Sequence, residues 1–282
     1  MNRNFLSEIL AAKRQMVARL QNDSFARAFR ERALEIRRNV TPHRLLQALE
    51  ANLPRLKIIA EFKRKSPSLG IIRDDLSAAD VARRYERGGA CAISVLTDEE
   101  YFGGSLEDLI AARSSAKLPI LRKDFIIDPI QIFEAAAAGA DAVLLITAAL
   151  DDVSLGELRA LAEDELGLDA LVEVHTVQEL RRAVNAGARI IGVNNRDLGT
   201  FHVSVSTSER LITEAPRDKI MISESGLHSA DSLLRLHKLG FRGFLIGEAL
   251  MRAPEPERAL RDFVAGAEHR QPRRVSTGAG PL

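Results

Sequence analysis

Residues 58 to 70, IIAEFKRKSPSLG, pass from apolar to charged within three positions and then turn through Ser66-Pro67-Ser68. Side chains two apart on an extended strand point the same way, so Glu61 and Lys63 set a proton acceptor beside an ammonium. With Arg64 and Lys65, four charges gather where Asn or Gly would have ended a strand; they require solvent or a charged ligand. Five further apolar runs finish in a similar way. LPILRKDF ends in Lys123, Asp124 and Phe125, and LDALVEVH in Glu173 and His175. IIGVNNR ends in Asn194 and Arg196, DKIMISESG in Glu224, Ser225 and Gly226, and FLIGE in Gly247 and Glu248. One charged residue at a strand end is ordinarily a solvated terminus. If these ends converge, lysines, carboxylates, a guanidinium and an amide share one cleft, the equipment for proton transfer on an anionic substrate. The opposite strand ends, such as Lys57 and Leu118, show no comparable pairing of charges.

The last run adds an anion site. Gly247 opens a short EALM helix, whose first N–H groups could face a phosphate, and Ser225-Gly226 after the seventh run would form the other wall. Glu248 must then turn its side chain away and contribute only its backbone.

A repeat supplies the elements that bring these ends together. GGACAISVLT, AAGADAVLLIT, NAGARIIGVNN and KLGFRGFLIGE each close a helical pattern with a glycine (Gly89, Gly139, Gly187, Gly240) and enter an apolar run of strand length. The spacing of about fifty residues is that of two strand–helix units. Four apolar runs lie between them, making eight strands. Thr176 with Glu179, Asp128 before Pro129, and Ser105 before LEDLIAA mark helix starts. A doubly wound sheet accommodates the same alternation, but eight units in roughly 210 residues fit a (β/α)8 barrel better. The expected division is a helical extension over residues 1–56, packed on the barrel through Leu6, Ile9, Leu10, Met16, Val17 and Leu20, the barrel over 57–266, and a disordered tail over 267–282.

Composition limits the alternatives. Lys plus Arg number 40 against 39 Asp plus Glu, a net charge of +1, so no global field attracts nucleic acid. The Arg-rich stretch RAFRERALEIRRN carries Glu31 and Glu35 and reads as a solvated helix face; acids there and at Glu8 and Asp23 argue against a transit peptide. No run approaches the ~20 apolar residues of a membrane span. A single cysteine, Cys91 within an apolar run, suits a buried role in a reducing cytoplasm. The six histidines have no ligand-like spacing and no glycine-rich nucleotide fingerprint follows the first strand, so neither a metal nor an organic cofactor is expected.

From LSEILAAKRQ to LIGEALMRAPEP the chain resembles the indole-3-glycerol phosphate synthase family, through IAEFKRKSPSLG, SVLTDEEYFGGS, LPILRKDFIID, IGVNNRDL, ISESG and LIGEALM in order. The resemblance implies a (β/α)8 barrel with an N-terminal helical extension and a step of tryptophan biosynthesis. That step closes the ring of 1-(2-carboxyphenylamino)-1-deoxyribulose 5-phosphate to give indole-3-glycerol phosphate, carbon dioxide and water. It implies a monomer acting on this small molecule. Lys123 would be the general acid, which asks for a pKa nearer neutrality than an ordinary lysine, as a crowded cationic site would supply. Lys63 would hold the carboxylate, Glu61 and Glu173 would accept and relay protons, and Asn194, Ser225, Arg196 and Glu224 would serve the polar centre. Ser66, Gly226, Gly247 and the Glu248 backbone would bind phosphate, and Phe102, Phe125 and Leu145 would wall the benzene ring. Arg64 and Lys65 are left to a solvated loop.

Two departures stand out. The chain has no tryptophan, so a relative's N-terminal tryptophan must be matched by Phe5 or Phe25, and Glu248 stands where serine is frequent. The nearest rival is another phosphosugar barrel such as phosphoribosylanthranilate isomerase. A non-catalytic binding protein is the rival from a different class, and the complete acid–base set argues against it.

Overall fold

The computed structural model describes residues 5–21, 23–53, 55–197 and 199–265; the expected tail over 267–282 lies outside them. Three helices come first: α1 (Phe5–Leu20), α2 (Asp23–Arg37) and α3 (Arg44–Glu50). Eight barrel strands follow, with a short antiparallel pair (Lys65–Ser66 with Gly70–Ile71) in the loop after the first: β1 (Ile58–Phe62), β2 (Ala92–Leu96), β3 (Ile120–Lys123), β4 (Ala142–Ile146), β5 (Asp169–Val174), β6 (Ile190–Asn194), β7 (Ile220–Glu224) and β8 (Gly243–Ile246). The barrel strands all pair in parallel with their neighbours along the chain. Ile59 of β1 lies opposite both Ala92 of β2 and Leu245 of β8, which closes the sheet into a (β/α)8 barrel.

The helices of the outer layer are α4 (Ala78–Gly88), α5 (Glu99–Phe102), α6 (Leu106–Ser115), α7 (Pro129–Ala137), α8 (Asp152–Ala160), α9 (Val177–Asn185), α10 (Ser206–Leu211), α11 (Ala230–Leu239), α12 (Glu248–Arg252) and α13 (Pro256–Ala265). Their starts follow the residue chemistry. Ser105 accepts the N–H of Asp108, and Asp128 forms a capping box with Gln131 ahead of Pro129. Thr176 caps α9, but Glu179 reaches past the cap to the N–H of His175 at 2.7 Å. The four repeat glycines have φ between 83° and 123°, the left-handed conformation in which a β-carbon is strained. No helix among the described residues is long and apolar enough to cross a membrane.

Two apolar cores result from strand alternation. Outward residues such as Ile58, Val143, Leu145 and Phe244 pack under the helices, while Ile59, Leu121, Leu144, Leu171, Ile190 and Ile222 fill the barrel. Along the inner face the chemistry changes with height: Ile59 gives way to Glu61, Leu121 to Lys123, Leu171 to Glu173, Ile190 to Asn194 and Ile222 to Glu224. The period of two places the polar residues at the carboxyl ends, above an apolar plug.

The opposite end is charged too, contrary to the expectation drawn from Lys57 and Leu118. Asp141, just before β4, is 1% exposed and binds Arg44 at 2.8 Å, Arg113 at 2.7 Å and the Ile120 N–H at 3.0 Å, with Arg37 at 3.8 Å. Asp169 at the start of β5 accepts the Leu46 N–H at 3.0 Å and lies 3.2 Å from His43. Most of the cations come from α2, α3 and α6, so the network is invisible along any one strand. It ties the N-terminal helices to the floor of the barrel.

Candidate active site

One cleft opens at the carboxyl ends. Glu61, Lys63, Ser66, Phe102, Lys123, Phe125, Glu173, Asn194, Arg196, Glu224, Ser225, Gly226, Gly247 and Glu248 all line it. Leu145 does not. It points outward into the layer between sheet and helices, and its neighbours Leu144 and Ile146 face the cleft, because a one-residue error in strand parity exchanges the two faces.

At the centre, the Lys123 ammonium lies 3.1 Å from Glu173 and 3.1 Å from Glu224. Lys63 pairs with Glu61 at 2.8 Å. Two glycines make room for these acids: a β-carbon on Gly192 would fall 2.0 Å from Glu224 Oε1, and one on Gly247 would fall 2.3 Å from Glu61 Oε1. Asn194 hydrogen-bonds Glu173, and its carbonyl oxygen accepts the Arg196 N–H at 3.0 Å. Arg196 then spans the mouth, donating to Ser68 at 3.2 Å and approaching Glu248 at 3.6 Å.

The end expected to take an anion is bordered by the loops after β1, β7 and β8. Ser225 and Gly226 are successive left-handed residues, with φ of 67° and 71°, and the Ser225 carbonyl is held by Asn195 at 3.1 Å. Ser66 is buried, and its hydroxyl has no hydrogen-bond partner within the described residues. The two basic residues left to solvent in the sequence are instead pins: Arg64 forks onto Asp108 and lies over the Phe62 ring, and Lys65 donates to the Glu100 carbonyl at 2.6 Å.

The apolar end is more aromatic than the sequence suggested. Phe102 and Phe125 lie 6.2 Å apart, and α1 adds Phe5, Leu6 and Ile9. Phe5 packs edge-on against Tyr101 at 5.1 Å and Phe201 at 5.0 Å, whereas Phe25 is 56% exposed on α2. Of the two candidates to replace a tryptophan, only Phe5 reaches the cleft. Phe201 was missed; it follows β6 in a loop without periodicity, and no pattern marked it.

The electrostatics reverse one expectation. The groups closest to Lys123 are acids, so its pKa does not fall: burial opposes the charge, but Glu173, Glu224 and Glu61 together raise it above the ordinary lysine value. Glu173 stays below the usual carboxylate range despite its burial, held by Lys123, His175 and Asn194. Glu224 goes the other way. Burial, aided by Glu173 and Glu61, pushes it up to about 7 against the pull of Lys123. Two carboxylates share one ammonium, so the excess negative charge raises the affinity of Glu224 for a proton. His175, behind Glu173 at 3.5 Å, is raised: burial works against its charge, and Glu179, Glu173 and Glu224 outweigh it.

Fold and site define a (β/α)8-barrel enzyme with a charged mouth and an aromatic wall. The sequence profile of "Indole-3-glycerol phosphate synthase" matches residues 6–263. The chain is 46% identical over 267 residues to an indole-3-glycerol phosphate synthase of Carboxydothermus hydrogenoformans, covering 93% of this chain and 100% of that one. It is 42% identical over 262 residues to one of Bacteroides thetaiotaomicron, covering 93% and 98%. The chain belongs to the indole-3-glycerol phosphate synthase family. Among solved structures, thiamine phosphate pyrophosphorylase from Pyrococcus furiosus superposes with a TM-score of 0.57 at 16% identity, covering 76% of this chain and 96% of that one; the likeness is one of fold.

Proposed function

We propose that this chain converts 1-(2-carboxyphenylamino)-1-deoxyribulose 5-phosphate to indole-3-glycerol phosphate, carbon dioxide and water in tryptophan biosynthesis. The observation that carries the reading is the Lys123 ammonium between Glu173 and Glu224, in a cleft also lined by Ser66, Gly226 and Gly247 and by the aromatic residues Phe102 and Phe125. The substrate has that layout: a phosphate, a central ketone and a benzoate ring.

The phosphate meets Ser66, Gly226 and the backbone at Gly247 and Glu248, and Glu248 is drawn aside by Arg196 and Arg252. The ring packs between Phe102, Phe125, Leu144 and Phe5. Lys63 binds the carboxylate. The aniline nitrogen pushes electrons into the ring, and the carbon bearing the carboxylate attacks the ketone carbon as Lys123 gives its proton to the ketone oxygen. A raised pKa does not prevent this, because an alkoxide forming in the transition state is a far stronger base than the amine. Departure of carbon dioxide returns the electron pair to the ring. The new hydroxyl then leaves as water, protonated by Lys63, or by Lys123 once it has regained a proton from solvent through the neighbouring carboxylates, and a carboxylate of the set (Glu61 or Glu173) takes the proton whose loss completes the indole. The atoms balance without an oxidant or reductant.

We also infer a monomer working in the cytoplasm without nucleic acid; a net charge of +1 is the support for the last point. The test of the function is to offer the carboxyphenylamino-deoxyribulose phosphate and, separately, phosphoribosylanthranilate, with products followed by mass spectrometry. The expected result is consumption of the first alone; isomerisation of the second without loss of carbon dioxide would favour the rival.

The acid pair adds a pH dependence. Below about 7 Glu224 is neutral; above it Glu224 is ionised, repels the substrate's anionic groups and tightens its hold on the Lys123 proton. The value kcat/KM should therefore fall as pH rises through about 7, and Glu224→Gln should remove that inflection. An unchanged profile in the variant would place the ionisation elsewhere, on the substrate phosphate for example.

A further inference from the structure

Lys13 sits in the middle of the buried face of α1, between Ile9 and Val17, and is itself 5% exposed. Its ammonium lies 2.6 Å from Asp124 and 2.9 Å from Asp98. Asp98 follows β2 and caps α5 through the Tyr101 N–H at 2.7 Å. Asp124 comes directly after Lys123. Its carboxylate accepts the Phe125 N–H at 2.8 Å, the Thr97 hydroxyl at 2.6 Å and the Arg122 guanidinium at 3.2 Å. One carboxylate thus shapes the turn that carries Lys123 on one side and the aromatic wall residue Phe125 on the other.

A helix that needed only to adhere to the barrel could do so with apolar contacts; burying an ammonium against two carboxylates is a poor source of stability but a good source of register. Although burial opposes it, Arg122 and Lys13 hold Asp124 down at about 2, and, against its own burial, Lys13 is raised by Asp124 and Asp98, so both partners carry charge near neutral pH. The same helix lines the cleft through Phe5, Leu6 and Ile9.

Resting on the function proposed above, we propose that Lys13 is a positioning residue: through Asp124 and Asp98 it sets the Lys123–Phe125 turn in register with α1, so that the general acid is aligned when α1 closes the apolar end of the cleft. The role differs from that of a wall residue. Loss of a wall contact weakens substrate binding, whereas loss of register misplaces the acid once substrate is bound.

The test compares kcat and KM, by indole fluorescence, for the parent, Lys13→Met, Lys13→Arg, Phe5→Ala and the double variant Lys13→Met/Asp124→Asn. Lys13→Met should lose about 10- to 100-fold in kcat, the scale of an ångström of misplacement, with a smaller change in KM. Phe5→Ala should act mainly on KM, and Lys13→Arg should recover part of the lost kcat. Adding Asp124→Asn to Lys13→Met should cost little more, because the two residues act in series. A folded Lys13→Met whose kcat stays within about 2-fold of the parent while only its melting temperature falls is a helix pin, and the proposal is then wrong. If Lys13→Met does not fold, Asp98→Asn, which keeps a capping side chain, carries the comparison, and an unchanged kcat there overturns the proposal equally. A parent chain that forms no indole removes the functional reading and this one together; a parent that forms it leaves only the Lys13 proposal at stake.

Discussion

Lys123→Ala is expected to lower kcat/KM by about 10²- to 10⁴-fold, the range for removal of a positioned general acid. The loss should fall mainly on kcat, because the phosphate and the benzene ring are held by other residues. Lys123→Arg separates acid from charge. A guanidinium keeps the positive charge between Glu173 and Glu224 but does not release a proton near neutral pH. It should preserve KM better than alanine does and still fail in turnover. Steady-state kinetics on both variants, with circular dichroism to show that each is folded, checks the assignment. An arginine variant with near-parental kcat would make Lys123 an electrostatic stabiliser and move the proton donor elsewhere, first of all to Glu224, whose pKa of about 7 suits it.

The second large effect is on stability. Asp141→Ala would leave Arg44, Arg113 and Arg37 facing one another at the floor of the barrel, and the Ile120 N–H without its acceptor. Breaking a buried ion pair from one side costs roughly 3–5 kcal/mol, since the remaining charges stay buried without compensation. Urea denaturation should show that loss, with a fall in melting temperature of about 5–8 °C for a chain of this size. Activity per folded molecule should not change, because Asp141 lies at the end of the barrel away from the cleft. A loss below about 1 kcal/mol would mean that the arginines find solvent or other acceptors, and that the network is peripheral.

These two residues also show what could be read in the sequence. The barrel was legible because its information is local: helix, glycine in the left-handed conformation, then an apolar run, about every fifty residues. The upper rim was legible for the same reason, since Glu61 and Lys63, or Asn194 and Arg196, lie two apart on one strand. Leu145 went to the wrong side because an all-apolar strand, AVLLI, has no polar residue to mark its parity. The Asp141 network was missed because its cations arrive from three helices. Lys123 was expected in a crowded cationic site, yet alternation turns its neighbour Arg122 outward to Glu134 and leaves Lys123 facing acids from β5 and β7. Lys13 did leave a trace: a lysine at a core position of an amphipathic helix calls for a buried anion, and two aspartates supply it.

The central claim is that this cleft closes an indole ring with loss of the substrate's carboxylate. The most direct measurement uses 1-(2-carboxyphenylamino)-1-deoxyribulose 5-phosphate labelled with ¹³C in the carboxyl group, following indole fluorescence and labelled carbon dioxide in one reaction. The expected result is the two products rising together in equal amounts, and together suppressed by Lys123→Ala. Fluorescence without labelled carbon dioxide, or an unchanged substrate, would contradict the account.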